Sequence, residues 1–247
     1  MSLLETEGLT KHFGGVTAVQ DVDLSVPEGE ITSLIGPNGA GKTTLFNMLT
    51  GSLEPSSGEV RFQGEEITGL PPEEIAREGV ARSFQITNVF EGVSVLENVR
   101  VAVQARHRGG WNFYQDADNK QEYIDEAMEI LSTVGLAEQR DQQASALSHG
   151  AKRSLEIGIT LAIGPDLLLL DEPAAGMSQV EIDELLDLID DLAREYTIML
   201  VEHNMDIVMN ISDTVTVLHN GAIISTGPPE TVRADESVQE AYLGGGA

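Results

Sequence analysis

The 247-residue chain contains no cysteine, which excludes both a disulfide scaffold and a metal site built on thiolates. Long apolar runs are also missing, because the stretch at residues 167–170 ends at Asp171, far short of the roughly 18–20 residues that span a bilayer. The first seven residues carry acid where a secretory signal would carry base. We therefore expect a soluble protein of a reducing compartment, which would act at a membrane only through another chain.

Basic residues are scarce: 14 lysines and arginines, of which only four are lysines, stand against 41 acidic residues, for a net charge of −27. Such a surface repels nucleic acid and anionic lipid. The acidic residues are spread along the chain, which predicts adaptation to molar salt, where the Debye length of about 3 Å screens self-repulsion. The alternative is an ordinary acidic protein from low-salt surroundings.

Strand and helix signals alternate along the chain, as is typical of an α/β fold. Apolar strand signals lie at residues 31–35, 167–170, 197–201 and 214–218. A helix is predicted over residues 43–49, and Asn220 with Gly221 predicts a two-residue hairpin turn. A hydrophobic fraction of 41% is enough for a buried core.

One part of the chain departs from this alternation and is mostly helical, for example over residues 123–134. We interpret residues 88–158 as a helical subdomain inserted into the α/β core. The expected organisation is a single domain over residues 1–247, with a core lobe formed by residues 1–87 and 159–247.

A glycine-rich segment follows the first apolar strand, and residues 36–44 match the pattern G-x-x-x-x-G-K-[ST] in full. Glycines allow the backbone to wrap around phosphates, and the N-terminus of the next helix faces the anion. Lys42 would neutralise the β- and γ-phosphates, and the Thr43 hydroxyl would ligate Mg²⁺. An incidental glycine-rich turn is the alternative. The residues expected to bind ATP here are Gly36, Asn38, Gly39, Ala40, Gly41, Lys42, Thr43 and Thr44.

Two adjacent acids end a buried strand at Asp171 and Glu172. Asp171 is the expected metal ligand, directly or through water. Glu172 is placed to orient and deprotonate the attacking water as a general base. Without the phosphate loop, the same pattern would describe a strand that simply enters a turn.

The segment at residues 147–153, Leu-Ser-His-Gly-Ala-Lys-Arg, lies about twenty residues before Asp171. Together with the two motifs above it resembles the signature segment of the ABC ATPases, whose usual pattern is Leu-Ser-Gly-Gly-Gln. His149 and Ala151 depart from that pattern, whereas Ser148 and Gly150 keep it. From the residues alone, Ser148 predicts a helix N-cap near Gly150, and an ordinary cap is the alternative interpretation.

The resemblance implies a P-loop core of RecA-like type with a small antiparallel β part and the helical insertion. It also implies a head-to-tail dimer, in which Ser148 and Gly150 of one subunit contact the ATP bound by the other. The second ATPase subunit would be a copy of this chain or a paralogue. Further implied partners are integral membrane permease subunits and, indirectly, an extracytoplasmic solute-binding protein.

Three single residues receive roles from the same resemblance. Gln85 matches the glutamine that senses Mg²⁺ and water, and counts as a catalytic and metal-site residue. His203 matches the switch histidine at the γ-phosphate, although a lone histidine is more often structural. Phe13 matches the aromatic residue that stacks on adenine, with core packing as the alternative. Lys42 and Glu172 complete the expected catalytic set.

Two further features bear on partners. Ser178 stands where many members of the family have an Asp that contacts the partner subunit, so that contact would rely on backbone or hydroxyl hydrogen bonds. Residues 86–95 would dock a cytoplasmic helix of the permease, and there Val89, Phe90 and Val93 are either exposed for that contact or packed inside the helical lobe.

Within the family, several segments resemble the branched-chain amino acid importer ATPases, among them Phe13-Gly14-Gly15 and Glu202-His203-Asn204. The expected function is therefore MgATP hydrolysis coupled to import of branched-chain or other polar amino acids, at the cytoplasmic face of the membrane. The alternatives are a soluble ABC ATPase without a transport role, or an ATPase of urea-type import or lipopolysaccharide export.

Overall fold

The structure is a computed structural model that describes residues 1–83, 89–107 and 120–243. Two sheets and a set of helices form one chain-wide arrangement of α/β type, as the alternation of strand and helix signals predicts. Among the helices in these ranges, none combines the length and the apolarity that a membrane span requires.

The central sheet has six strands in the order β11-β10-β4-β9-β8-β7. Its strands, in chain order, are β4 (Ile31–Ile35), β7 (Val80–Ser83), β8 (Leu167–Asp171), β9 (Thr197–Val201), β10 (Thr214–His219) and β11 (Ala222–Gly227). All neighbours pair in parallel except β10 and β11. These two are joined at Asn220 and Gly221, whose φ values of 49° and 83° are those of the predicted hairpin turn.

A second, antiparallel sheet has the path β2-β1-β5-β6, with β3 paired to β1. Its strands are β1 (Ser2–Phe13), β2 (Val16–Val22), β3 (Ser25–Pro27), β5 (Ser57–Phe62) and β6 (Glu65–Glu66). Its apolar face packs with α1 (Lys42–Leu49) and with one face of the central sheet in a continuous core that includes Leu4, Phe46 and Leu169. The small antiparallel β part expected from the resemblance is therefore present.

The remaining helices are α2 (Pro72–Arg77), α3 (Val95–His107), α4 (Lys120–Thr133), α5 (His149–Leu161), α6 (Gln179–Leu192), α7 (Met205–Ile211), α8 (Pro229–Ala234) and α9 (Glu236–Leu243). Among them, α4 matches the helical stretch predicted over residues 123–134, and α5 begins where the N-cap at Ser148 was predicted. Helices α3, α4 and α5 pack around Val99, Leu131 and Leu155, and this core continues into the face of the central sheet at Leu168 and Leu170. Helix α5 continues three residues past 158, the boundary predicted for the helical subdomain, and the lobe boundaries stay a prediction.

Candidate active site

The glycine-rich loop, Asp171, Glu172 and His203 lie at one edge of the central sheet. Strands β4, β9 and β8 are adjacent and parallel, so their carboxyl ends lie side by side. The glycine-rich loop follows β4, His203 lies just after β9, Asp171 is the last residue of β8, and Glu172 follows it. In open α/β sheets this edge, outside the carboxyl ends of the strands, is where ligands bind.

The glycine-rich loop rests against two backbone segments from elsewhere in the chain. A Cβ atom on Gly36 would lie 2.1 Å from the Leu218 carbonyl oxygen, and one on Gly41 would lie 2.4 Å from the Ala18 carbonyl oxygen. Gly39 has open space around it, but its φ of 79° lies in the left-handed region that favours glycine. Packing therefore requires glycine at two of the three positions, and backbone conformation requires it at the third.

Lys42 begins α1 and folds back over the loop. Its Nζ donates to the carbonyl oxygens of Gly36, at 2.6 Å, and Pro37, at 3.1 Å. Burial lowers the pKa of Lys42, and the negative charges of Glu172 and Asp171 act in the opposite direction. Lys42, Asp171 and Glu172 therefore lie close enough to interact electrostatically. Thr43, the next residue after Lys42, is exposed.

Asp171 is buried and forms an ion pair that the sequence did not predict. The guanidinium of Arg82, on β7, donates to Asp171 Oδ2 at 2.5 Å and to Asn47 Oδ1 at 2.6 Å. Because Asn47 lies on α1, Arg82 links the phosphate-loop helix to the predicted metal ligand. Its signal in the sequence is an arginine inside the short strand β7, which pairs with β8.

Glu172 has a left-handed backbone conformation with a φ of 45°, which is uncommon for a residue with a side chain. Its N–H donates to the Val201 carbonyl at 2.9 Å. The guanidinium of Arg153, on α5, donates to the Glu172 carbonyl from Nη2 and to the Pro173 carbonyl from Nε, both at 3.0 Å. The turn that carries the predicted base is therefore held from two sides.

His203 is largely exposed at the edge of the site, whereas its neighbour Glu202 is buried. Glu202 accepts hydrogen bonds from the backbone N–H of Ala174, at 3.1 Å, and of His203, at 3.2 Å. Glu202 Oε2 also lies 3.9 Å from His203 Nδ1. Sequence reasoning missed Glu202, although an acid at the end of an apolar strand, beside a candidate histidine, was a visible signal.

The signature segment lies at the N-terminus of α5, with Ser148 as the predicted N-cap accepting from Ala151 N–H at 3.2 Å. The carboxylate of Glu181, on α6, accepts from Gly150 N–H at 3.0 Å and from the Ser178 N–H and hydroxyl at 2.9 and 2.8 Å. The Ser178 hydroxyl, which we expected at a partner contact, is thus engaged within its own chain. These hydrogen bonds lower the pKa of Glu181, those from Ser178 most strongly.

The remaining predicted residues divide into three groups. Phe13 is half exposed near the tip of the β1–β2 hairpin, so the alternative that it packs in the core is wrong. Val89 is buried in the helical lobe core, as the packing interpretation has it, whereas Phe90 and Val93 are exposed and their contact with a permease stays a prediction. Gln85 lies outside the described residues, and its predicted role is not tested.

The residues present suit a magnesium ion that arrives with a nucleotide. In the described ranges, no group of three or more His, Cys, Asp or Glu side chains could hold a metal ion alone. The predicted ligands Thr43 and Asp171 supply one hydroxyl and one carboxylate, both hard oxygen donors. Mg²⁺ is commonly bound by one or two carboxylates together with substrate phosphates and waters, which this donor set fits.

Two family profiles match the chain. One, described as ABC transporter, covers residues 19–175, and one, described as branched-chain amino acid ATP-binding cassette transporter, covers residues 222–247. A relative from Pseudomonas aeruginosa, the high-affinity branched-chain amino acid transport ATP-binding protein BraF, is 43% identical over 98% of both chains.

The chain also resembles solved structures of ATP-binding cassettes. The ADP conformation of an ATP-binding cassette of an ABC transporter superposes with a TM-score of 0.86, at 32% identity and over 99% of both chains. A more distant cassette, described as a dimeric post-hydrolysis state bound to ADP and phosphate, has a TM-score of 0.76 at 23% identity. The second likeness concerns the fold alone.

Proposed function

The chain belongs to the ABC transporter family, as the ATP-binding subunit of a branched-chain amino acid importer that hydrolyses ATP to drive transport, and we propose how its site performs that reaction. The observation that carries the proposal is the meeting of Lys42, Asp171 and Glu172 at the carboxyl edge of the central sheet. The lysine can bind phosphate, the buried carboxylate of Asp171 can bind a metal ion, and the carboxylate of Glu172 can act as a base, all within one site.

In the proposed mechanism, the loop amides and Lys42 hold the β- and γ-phosphates of ATP. Lys42 Nζ, which donates to the carbonyl oxygens of Gly36 and Pro37 in this structure, would donate to the phosphates instead, and their negative charge favours its protonated form. Thr43 and Asp171 would hold Mg²⁺, which when bound shields the phosphate charge. Glu172 accepts a proton from the water that attacks in line, and His203 positions the γ-phosphate.

Gln85 would complete the cis site, and Phe13 would stack on the adenine. The exposed position of the Phe13 ring supports this role, since adenine could not reach a ring that was buried in the core. Ser148 and Gly150 would act in trans, on the ATP held by a second ATPase subunit in a head-to-tail dimer. The Ser148 hydroxyl accepts from Ala151 N–H and keeps its own proton for an anion, whereas the Gly150 N–H would have to leave the Glu181 carboxylate first.

As a subunit of a transporter complex, the chain would work at the cytoplasmic face of the membrane, attached through permease subunits. Phe90 and Val93, exposed at the surface of the helical lobe, are the proposed contact with a permease helix. A solute-binding protein would deliver the cargo to the other side. The profile match at residues 222–247 favours branched-chain amino acids over urea or lipopolysaccharide.

Hydrolysis is tested by comparing Glu172→Gln with the wild-type chain. We expect the variant to bind ATP normally, to lose at least about 100-fold in phosphate release, and to accumulate as an ATP-bound dimer in size-exclusion chromatography. Glu184→Gln, on the exposed face of α6, removes an acid of the same type and is the control. Wild-type hydrolysis by Glu172→Gln would show that another group is the base.

The cargo and the partners are tested together on the complex. Tagged chain is purified from solubilised membranes with its permease subunits, and its ATPase rate is measured with the solute-binding protein loaded with leucine, isoleucine, valine or urea. We expect stimulation by the three branched-chain amino acids. Stimulation by urea alone, or recovery of soluble partners only, would contradict the import assignment while leaving the ATPase activity intact.

A further inference from the structure

The turn after β8 is unusual because its conformation is strained and its supports come from outside it. Glu172 has a φ of 45°, and a non-glycine residue persists in that region only where its surroundings impose the conformation. Arg153 supplies two of the contacts that impose it, through the carbonyl oxygens of Glu172 and Pro173. We propose that Arg153 is a positioning residue, which holds the catalytic carboxylate of Glu172 in its working orientation.

The side chain of Arg153 is itself fixed. Its third donor, Nη1, lies 2.8 Å from Glu156 Oε2, one turn further along α5. The Arg153 and Glu156 side chains are only 13% and 10% exposed, so solvent screens this ion pair little. The planar guanidinium thus satisfies two carbonyls and one carboxylate at once, which is a task that the point charge of a lysine performs poorly.

Because Arg153 lies on α5, it also connects Glu172 to the signature segment at the start of that helix. Ser148 and Gly150, at the N-terminus of the same helix, are the residues proposed to touch the ATP of the partner subunit. Buried residues Leu155 and Ile157 anchor the helix in the core of the helical lobe. A displacement of α5 caused by the partner's nucleotide would therefore be transmitted by Arg153 to the base of this chain's own site.

This inference rests on the proposed role of Glu172 as general base and goes beyond it, because Arg153 touches no substrate atom. A residue that acts only by orienting the base affects the rate of the chemical step and leaves nucleotide binding unchanged. A residue that merely stabilises the fold would instead lower the melting temperature and the ATP affinity. The two roles are separable by measuring kcat, ATP affinity and thermal stability on the same variants.

The experiment compares Arg153→Met and Arg153→Lys with the wild-type chain, with MgATP as the probe. We expect kcat to fall about 10- to 100-fold in Arg153→Met, by an intermediate factor in Arg153→Lys, and the ATP dissociation constant to stay within about twofold. Arg100→Met is the matched control, because Arg100 forms the same type of i,i+3 pair, with Glu97, on another helix of the helical lobe.

A double variant makes the test specific. If Arg153 acts through Glu172, Arg153→Met adds little to the loss already present in Glu172→Gln under single-turnover conditions, whereas independent effects would multiply. An unchanged kcat in Arg153→Met, a loss confined to ATP affinity, or multiplicative losses in the double variant would overturn the inference. Absence of hydrolysis in the wild-type chain would instead refute the proposed function and this inference with it.

Discussion

Arg82 Nη2 lies 2.5 Å from Asp171 Oδ2, in an ion pair whose side chains are 11% and 2% exposed. The guanidinium also lies over the ring of Phe46, with its Cζ atom 5.6 Å from the ring centroid. In this structure, therefore, the cation that compensates the charge of the predicted metal ligand comes from the neighbouring strand of the sheet. Arg82 thus helps to fix the position of the Asp171 carboxylate.

Loss of Arg82 should destabilise the chain, because removal of one partner leaves a buried carboxylate uncompensated. We expect Arg82→Met to lower the free energy of unfolding by about 3 kcal/mol in denaturant titrations without nucleotide. Arg61→Met removes an arginine from an exposed pair with Glu59 and should have no measurable effect. Equal unfolding midpoints for the two variants would show that Asp171 is compensated in another way.

We predict that ATP binding weakens at alkaline pH, because Lys42 loses its charge there. Burial lowers its pKa, so the folded chain loses this charge before an exposed lysine would, and stability without nucleotide rises with pH between the lowered pKa and the ordinary value near 10.4. Phosphate favours the charged form, so ATP affinity should fall through the same window. Calorimetric titrations between about pH 7.5 and about pH 10 measure this, and a Lys42→Met chain should bind weakly without that slope.

Phe13 and Phe90 are both exposed phenylalanines and serve as controls for each other. We expect Phe13→Ala to weaken ATP binding by about tenfold through lost stacking, and to leave the melting temperature unchanged. Phe90→Ala should bind ATP normally and lose assembly with the permease. Weaker ATP binding in both variants, or in neither, would contradict the assignment of Phe13 to the adenine.

The net charge of −27 predicts that salt stabilises the chain. The free energy of unfolding should rise between about 0.1 M and about 3 M KCl, because screening removes the repulsion among the acids. Sucrose at matched osmolality controls for general exclusion from the surface. A flat salt dependence would favour the ordinary acidic protein over the salt-adapted one.

The sequence predicted the strands β4, β8, β9 and β10, the phosphate loop and the hairpin at Asn220, because these depend on neighbours in the chain. Three supports of the site were not predictable in that way. Arg153 meets Glu172 across 19 residues, Glu202 meets Ala174 across 28, and Arg82 meets Asp171 across 89. Each depends on which strands and helices become adjacent in the folded chain, and no periodicity or motif encodes that adjacency.

The phosphate loop packs against the C-terminal part of the chain. Gly221 N–H donates to the Ala40 carbonyl at 2.8 Å, and Ile35, the last residue before the loop, shares a small core with Val232 and Val238. Residues 222–243, the described part of the segment that matches the branched-chain profile, thus contribute to the packing beneath the nucleotide site. Exchanging this tail between relatives would therefore change the packing beneath the loop, and with it the affinity for ATP.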